Sequence, residues 1–348
     1  MKNVAVAILN WNGKHFLEKF LPSVVSNSTG QGITVYVIDN ASTDGSVSFL
    51  KDNHPEVRII QLDKNHGFAG GYNRGLQEIH ADYYLLLNSD VEVTPGWIPP
   101  LLEAFDNDEN LVACMPKIKS WYQKDSFEYA GAAGGFIDKY GYTFCRGRIF
   151  GDVEKDSGQY DNTIQVFWTT GACMMIKSNV FHEFGGFDEY FFAHMEEIDL
   201  CWRMKNKNHK LCYVHESVVY HLGGGTLPQN NPRKTFLNYR NNLLLLYKNL
   251  PSDQLYKVLL IRLLLDYLSA LYYLQNADFK SIMAIAQAHS AFFKALKHYK
   301  KLRNKTHSPA SSLRHQEMFD RSLVFSYFIR KRKKFSDLKW ASFNPHEQ

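Results

Sequence analysis

Strand-like and helix-like segments alternate through the first third of the chain, and this alternation limits the fold more than any other feature. Apolar runs predict buried strands at residues 4–10, 33–39, 57–62, 83–87 and 111–115. Helical patterns lie between them, at residues 14–26, 45–52, 96–105 and in a segment that ends near residue 80. A β-α-β order requires right-handed crossovers and a mostly parallel sheet. The sequence therefore predicts an α/β fold with helices flanking the sheet.

Polar residues follow several of these strands at the point where each strand ends. Asn10 and Asn12 follow the first strand, Asp39 ends the second, and Asn88-Ser89-Asp90 follows the run 83–87. Open α/β sheets bind their ligands at the carboxyl ends of the strands. The sequence therefore predicts a site for a polar, phosphate-bearing ligand at this edge.

Asp90 and Asp39 each have two interpretations. Asp90, with Asn88 on the same face of the strand, can hold a divalent cation that offsets the charge of a diphosphate. It can also be an ordinary turn residue. Asp39 can accept a hydrogen bond from a pyrimidine ring N–H or a ribose hydroxyl, or it can form an Asx-turn or a helix cap.

A glycine-rich segment begins at Asn65 and includes Gly70, Gly71 and Arg74. Such a segment allows close approach of a nucleotide to the backbone, and Arg74 brings positive charge. The segment is not G-x-G-x-x-G, and no such motif follows the first strand. The pattern argues against a dinucleotide-binding site.

A second group of candidate residues lies between 188 and 221. A helix that begins near Glu196 and Glu197 explains Asp199 and Arg203 as a pair four residues apart, but it leaves the adjacent glutamates unexplained. One glutamate can take the proton from an attacking hydroxyl. His221 can complete a metal site, although a structural role is the simpler interpretation.

Composition sets the broad class of protein. The chain has 348 residues and a net charge of +5, which does not indicate a nucleic-acid partner. Its odd number of cysteines without a C-x-x-C pair indicates reduced thiols in a cytosolic protein without a signal peptide. Leucine- and tyrosine-rich helices and a basic tail occupy the last third. We expect an interfacial helix or a helical cap there, rather than a membrane span, because Arg262 and Asp266 interrupt the longest apolar stretch.

Taken together, these segments resemble the family 2 glycosyltransferases with a GT-A fold, especially rhamnosyltransferase-like members. The resemblance covers about residues 3–226. It rests on the order and spacing of VAVAILNWNG, VIDNASTDGS, NHGFAGGYNRG, LLLNSDVEV, TTGACMMIK, GGFDEYFFAHMEEIDLCWR and VVYH. It implies a GT-A catalytic domain with a Rossmann-like nucleotide-binding sheet at 1–227. From the leucine- and tyrosine-rich helices and the basic tail, we expect an α-helical, membrane-associating extension at 228–348.

The resemblance also implies an activity and roles for individual residues. The activity is inverting transfer of a sugar from a UDP- or dTDP-linked donor to a hydroxyl of a glycan or lipid-linked acceptor, with Mg²⁺ or Mn²⁺ as cofactor. Asp90 and His221 would bind the metal, and Glu197, with Glu196 as the rival, would be the catalytic base. The residues that would bind the nucleotide sugar are Asn10, Asn12, Asp39, Asn65, Gly70, Gly71, Arg74 and Asn88. The residues that would face the acceptor are Thr170, Gly171, Asp188 and Glu189.

Two other functions are weighed against this one. A sugar-phosphate nucleotidyltransferase would carry a glycine-rich basic loop after the first strand, where this chain has Asn10-Trp11-Asn12-Gly13. A catalytically decayed sugar-binding homologue stays possible because Asn88 replaces the first aspartate of the family's metal motif. For the active enzyme we expect a cytoplasmic location and, as a hypothesis, peripheral contact with the inner face of the cell membrane.

Overall fold

A computed structural model describes residues 2–223, 231–306 and 315–339. In those ranges the strands are β1 (Val4–Asn10), β2 (Ile33–Asp39), β3 (Arg58–Gln61), β4 (Tyr83–Asn88), β5 (Val91–Val93), β6 (Leu111–Ser120), β7 (Gly135–Asp138), β8 (Thr143–Cys145), β9 (Arg148–Ile149), β10 (Asp152–Val153), β11 (Ile164–Gln165), β12 (Cys173–Lys177), β13 (Lys210–His221) and β14 (Met318–Phe319). The α-helices are α1 (Lys14–Asn27), α2 (Ser46–Asn53), α3 (Gly67–Gln77), α4 (Ile98–Asn107), α5 (Ser178–Glu183), α6 (Glu196–Lys205), α7 (Pro232–Asn249), α8 (Ser252–Gln275) and α9 (Phe279–Thr306).

The main sheet has the order β11-β13-β6-β12-β4-β1-β2-β3 in the described part of the chain, with β5 paired to β13. Strands β3, β2, β1 and β4 run parallel, and β12 is antiparallel to both of its neighbours, β4 and β6. The α/β prediction is therefore confirmed. The fully buried run that forms β4 lies near the centre of this sheet, as its continuous apolar sequence predicts.

Residues 166–177 form a largely apolar run that predicts a further strand, and this prediction is wrong for the first half. Only Cys173–Lys177 forms β12. The amide of Val166 bonds to Leu211 O, and the amides of Phe167 and Trp168 bond to Gly135 O. Residues 166–168 therefore connect two sheets instead of extending one, a role that their apolar composition does not distinguish from that of a strand.

Helix α3 lies unusually close to the sheet because of two of its glycines. A Cβ atom at Gly75 would lie 2.5 Å from Ile38 Cδ1, and one at Gly71 would lie 2.7 Å from Leu9 Cδ1. These two glycines therefore serve helix–sheet packing. The close approach brings the beginning of α3 to the carboxyl ends of β1 and β2.

A second sheet has the order β10-β9-β8-β7-β14. The C-terminal tail supplies β14, which pairs in parallel with β7, and Asp138 accepts a 2.7 Å hydrogen bond from the Leu323 amide. The predicted extension is thus not purely α-helical, because its tail pairs with an otherwise open sheet edge. The predicted boundary at 227/228 lies outside the described residues.

Helices α7, α8 and α9 pack on the sheet domain and on one another. Among the described residues, α8 is the one helix whose length and composition would allow it to cross a membrane. Its inner side carries a buried ion pair, Arg262 Nε to Asp266 Oδ1 at 2.8 Å, and His289 Nε2 of α9 lies 3.1 Å from Asp266 Oδ2. These groups face the protein interior.

Candidate active site

Asn10 and Asp39 meet at the ends of β1 and β2. Asn10 Nδ2 donates to Asp39 Oδ1 at 3.2 Å and to Ser42 Oγ at 3.1 Å. Asp39 Oδ2 accepts from the Ser42 amide at 3.0 Å, which is the turn contact that the sequence allows. Asn10 Oδ1 is buried without a hydrogen-bond partner. An unpaired buried acceptor is costly, so this atom is available to a ligand donor.

Asn12 joins the loops that follow β1 and β2. Its backbone has a φ of 50°, its side-chain oxygen accepts from the Thr43 amide at 2.7 Å, and its own amide donates to Ser42 Oγ at 2.9 Å. Asn12 therefore shapes the rim of the site through its loop contacts.

Asn40 organises the beginning of α3, and sequence reasoning missed it. Its Nδ2 donates to Asn65 Oδ1 at 3.1 Å and to Gly67 O at 2.9 Å, while its Oδ1 accepts from the His66 amide at 2.9 Å. The predicted residue Asn65 also accepts from the Gly67 amide at 2.8 Å. The signal for Asn40 was its position directly after Asp39.

Arg74 lies on α3 with a carboxylate partner. Its Nη1 donates to Glu189 Oε1 at 2.8 Å and to Gly70 O at 3.0 Å. A Cβ atom at Gly70 would come within 2.9 Å of Arg74 Nη1, so a glycine at this position leaves room for the guanidinium. Both charged side chains are partly exposed, and a ligand phosphate could compete with Glu189 for Arg74.

His221, the last residue of β13, lies between two carboxylates. One is Asp90, which follows β4, and the other is Glu128. Its Nε2 lies 3.2 Å from Asp90 Oδ1 and 3.4 Å from Asn88 Nδ2, and its Nδ1 lies 3.0 Å from Glu128 Oε2. Burial opposes protonation of the imidazole, but Asp90 and Glu128 outweigh it and raise the pKa of His221 to about 10. Sequence reasoning missed Glu128, which lies in a segment without regular periodicity.

The donor set of this cluster suits a divalent cation. In the described residues, no three His, Cys, Asp or Glu side chains form a preorganised metal cage. Asp90 Oδ1 and His221 Nε2 nevertheless lie 3.2 Å apart, and Glu128 Oε2 contacts the opposite ring nitrogen. A carboxylate on the far nitrogen is the usual support of a histidine ligand. Mg²⁺ commonly takes one or two protein ligands and completes its shell with phosphate oxygens and water.

Thr170, Gly171 and Ala172 connect this cluster to the glutamates of α6. The Asn88 amide donates to Ala172 O at 3.0 Å. A Cβ atom at Gly171 would lie 3.8 Å from Glu197 Cδ. Thr170 is buried, and its hydroxyl donates to Ala130 O at 2.6 Å. The end of β4 and the Glu197 carboxyl therefore lie on the same edge of the sheet.

Glu196 and Glu197 begin α6, and each has an Oε2 atom that is buried without a hydrogen-bond partner. Burial raises the pKa of Glu197 to about 7, against backbone N–H groups, including that of Gly171, that lower it. Burial, and then the charges of Glu197 and Asp199, raise the pKa of Glu196 well above its usual range. A carboxyl that titrates near neutral pH is suited to general-base chemistry.

The backbone directly before these glutamates is strained. Phe192, His194 and Met195 have φ values of 64°, 69° and 72°. Left-handed conformations of non-glycine residues cost about 1–3 kcal/mol each and persist where surrounding contacts enforce them, often at functional sites.

Asp188 and Asp199 make structural contacts on the side of α6 that faces the C-terminal helices. Lys248 of α7 bridges them, at 2.6 Å from Asp188 Oδ2 and 2.7 Å from Asp199 Oδ2. Tyr299 of α9 also donates to Asp188 at 3.0 Å, and Asp199 pairs with Arg203 at 2.8 Å, as their spacing predicts. The Oδ1 atoms accept from the Tyr190 amide and from Asn249 Nδ2, so all four carboxylate oxygens have protein partners. An acceptor role for Asp188 stays a prediction.

The chain was compared with known proteins. Residues 5–184 match the family described as "Glycosyl transferase family 2". The N-acetylglucosaminyl-diphospho-decaprenol L-rhamnosyltransferase of Mycobacterium tuberculosis is 28% identical over 234 residues, which are 62% of this chain and 74% of that protein. The low-salt glycan biosynthesis hexosyltransferase Agl10 of Haloferax volcanii is 25% identical over 250 residues, which are 70% of this chain and 75% of that protein.

Two solved structures share the fold. The structure of GalNAc-T7 with UDP, GalNAc and Mn²⁺ has a TM-score of 0.55 and 16% identity, and covers 71% of this chain and 48% of that chain. The mannosyltransferase PcManGT of Pyrobaculum calidifontis, in complex with GDP-Man and Mn²⁺, has a TM-score of 0.52 and 13% identity, and covers 88% of this chain and 84% of that chain. At these identities the likeness establishes the GT-A fold.

Proposed function

The chain belongs to glycosyl transferase family 2, and we propose that it moves a sugar from a UDP- or dTDP-linked donor to a hydroxyl of a glycan or lipid-linked acceptor. The transfer inverts the anomeric configuration and serves surface polysaccharide biosynthesis. The names of its rhamnosyl- and hexosyltransferase relatives support this substrate class.

One observation carries the proposal. The buried, unpartnered carboxyl oxygens of Glu196 and Glu197 lie on the same sheet edge as the Asp90–His221 pair, linked to it through Gly171. A proton acceptor and a diphosphate-binding group on one edge are what a single displacement at an anomeric carbon requires.

Glu197 is the proposed base. Its carboxylate takes the proton of the acceptor hydroxyl as the hydroxyl oxygen forms a bond to the anomeric carbon. The bond from that carbon to the phosphate oxygen breaks, and the nucleoside diphosphate leaves with the electron pair. Attack from the face opposite the leaving group gives inversion. Glu196 is the alternative base because its pKa is raised by the same burial.

The donor binds along the ends of β1, β2 and β4 in this proposal. Asn10 Oδ1 accepts a donor group of the nucleotide, Asp39 lies beside it, and Arg74 exchanges Glu189 for a phosphate. Asn12 and Asn65 shape the surrounding loops, and Asn88 ends β4 beside His221. Gly70 leaves room for Arg74, and Gly71 lets α3 approach the sheet.

Asp90 and His221 are the proposed ligands of Mg²⁺ or Mn²⁺. A bound cation would supply positive charge for the departing diphosphate. His221 must give up its Nε2 proton to act as a ligand, and Glu128 keeps the Nδ1 proton in place. The Mn²⁺ in the two structural neighbours is consistent with a divalent cation.

The proposed acceptor side begins at Thr170 and Gly171, beside Glu197. Glu189 and Asp188 lie after β12 and α5, at the turn that precedes α6. A lipid-linked acceptor would bring the enzyme to the cytoplasmic face of the membrane.

Helix α8 is the proposed membrane contact. Along its outer side it exposes a stripe of large apolar side chains: Tyr256, Leu260, Leu264, Tyr267, Leu268, Leu271, Tyr272 and Leu274. Exposed lysines on the neighbouring α9, at positions 280, 294, 297, 300 and 301, favour anionic lipid. Because Arg262 and Asp266 face the protein interior, we propose that α8 lies in the interface and does not span the bilayer.

Sugar transfer tests the proposal directly. The protein is incubated with UDP- and dTDP-sugars, a polyprenyl-diphosphate-linked acceptor and Mn²⁺ or Mg²⁺, and glycosylated product is measured by mass spectrometry. We expect product with at least one donor and loss of product in EDTA. Pyrophosphate release from a nucleoside triphosphate and a sugar phosphate would indicate a nucleotidyltransferase instead, and donor binding without transfer or hydrolysis would indicate a decayed site.

A further inference from the structure

Residues 192–195, which precede the two glutamates, include three non-glycine residues with positive φ. Phe192, His194 and Met195 are left-handed, and the side chain of Met195, the residue before α6, caps no amide of that helix. Backbone of this kind needs contacts from other elements. The Phe68 and Ala69 amides of α3 donate to Phe192 O at 2.9 and 3.3 Å. Side chains of helix α7, in the part of the chain beyond the family match, supply further contacts.

Asn241 of α7 contacts three backbone carbonyl groups of this segment. Its buried Nδ2 lies 3.0 Å from Phe191 O, 2.9 Å from Ala193 O and 2.7 Å from His194 O. The Arg240 Nε group donates to Asn241 Oδ1 at 2.9 Å, so the nitrogen of the amide is directed at the three carbonyl groups.

Two other side chains of α7 contact the chain, one before and one after the two glutamates. Arg240 Nη2 donates to Tyr190 O at 2.8 Å and to Phe191 O at 3.1 Å. Asn249 Nδ2 donates to Asp199 Oδ1 at 2.9 Å, beyond the glutamates. Helix α7 therefore binds the chain on both sides of Glu196 and Glu197.

We propose that Asn241 is a positioning residue, which holds residues 191–194 so that Glu197 points at the acceptor hydroxyl. This inference rests on the proposed function, because it takes Glu197 as the base. A small displacement of a base from its acceptor lowers turnover strongly while donor binding is kept. The C-terminal helices are then part of the catalytic apparatus and not only a membrane contact.

Asn241→Ala tests this role, with Asn242→Ala as the matched control. Asn242 is buried on the same helix, but its Nδ2 bonds to Gly141 O at 2.6 Å, away from the glutamate segment. Turnover is normalised to donor sites counted by calorimetry, which removes any unfolded fraction. We expect kcat to fall about 10- to 100-fold in Asn241→Ala, with the donor KM within about twofold of wild type. Asn242→Ala should keep its normalised kcat within about threefold.

Arg240→Gln covers the case in which Asn241→Ala does not fold. Arg240 is only partly buried, and its loss frees both the Tyr190 carbonyl and the Asn241 amide. We therefore expect a lower kcat with an unchanged donor KM, and a smaller fall in kcat than in Asn241→Ala. Wild-type kcat in a folded Asn241→Ala protein, or in Arg240→Gln where the alanine variant fails, would overturn the inference.

Hydrogen exchange separates this inference from the proposed function. If the wild-type protein transfers no sugar, the proposed function fails on its own. The structural part is then decided by amide exchange across residues 192–196. That exchange should be faster in Asn241→Ala than in Asn242→Ala, and equal exchange would reject the positioning role.

Discussion

At the scale of single residues, the site combines a buried carboxylate that pairs with cations and two carboxyl groups that each keep one buried oxygen without a hydrogen-bond partner. Asp199 is fully buried but contacts Arg203, Lys248 and Asn249, so its pKa stays low despite burial. Glu197, two positions earlier, forms no ion pair with the described residues, and burial raises its pKa. Neighbouring carboxylates thus have different chemistry because of the partners that the fold supplies.

Glu197→Gln should abolish transfer and leave donor binding intact. The amide keeps the size of the side chain but cannot take a proton, so we expect turnover to fall about 10²- to 10⁴-fold. Donor affinity, measured by calorimetry, should stay within about twofold. Glu103→Gln, at an exposed position on α4, is the control. Near-normal turnover in Glu197→Gln would move the role to Glu196.

Glu197→Gln should also change how stability depends on pH. A carboxyl whose pKa is raised in the folded state stabilises the fold below its unfolded pKa, and that stabilisation is lost as the pH rises through about 7. Above pH 7 the wild-type protein buries an ionised carboxylate, which lowers its free energy of unfolding. The glutamine variant has no charge at this position and does not lose that stability. Glu196 shifts in the same direction, and Cys201 is the other titratable group close to Glu197.

Urea unfolding at pH 5 and pH 8 measures this effect. We expect Glu197→Gln to be more stable than wild type by about 2 kcal/mol at pH 8, with a smaller difference at pH 5. An equal difference at both values would mean that the pKa of Glu197 is not raised in the folded protein.

At the scale of elements, α8 has two unlike sides. Its inner side carries the Arg262–Asp266 pair, and its outer side carries the apolar stripe defined above. A long helix of this composition satisfies the criteria for a membrane span, yet the buried ion pair ties it to the rest of the protein.

Leu264→Ser combined with Leu268→Ser should weaken binding to anionic vesicles. Both leucines are exposed on the stripe, at 57% and 58%. Losing about 1 kcal/mol of interfacial transfer energy for each should lower partitioning at least tenfold in a flotation assay. Tyr122→Ser with Val153→Ser removes exposed apolar groups elsewhere and should have little effect. An equal loss of vesicle binding in both double variants would show that α8 is not the membrane contact.

At the scale of the whole molecule, the C-terminal tail closes onto the sheet domain. Phe335 is buried against Phe136, Phe144 and Tyr160, and β14 extends the second sheet. Lys205 of α6 pairs with Glu317 of the tail at 3.0 Å. The last described residues therefore pack on the second sheet and on α6.

Phe335→Ala should lower the free energy of unfolding by about 3–5 kcal/mol, the usual cost of removing a buried phenylalanine. Phe328→Ala is the control, because Phe328 is 52% exposed and should change stability by about 0.5 kcal/mol or less. Thermal unfolding of both variants checks this. A small effect at Phe335 would mean that the tail does not pack against the second sheet.

The sequence by itself determined the parallel strands and the polar residues at their ends, because strand periodicity and strand-end position are local properties. β1 and β2 have the predicted bounds, and Asp39 and His221 lie at the ends of their strands. Only the tertiary structure decided the partners: Glu128 beside His221, Asn40 beneath α3 and Asn241 against residues 191–194. These contacts join residues 26 to 93 positions apart, and no local pattern encodes which distant side chain will supply a missing hydrogen bond.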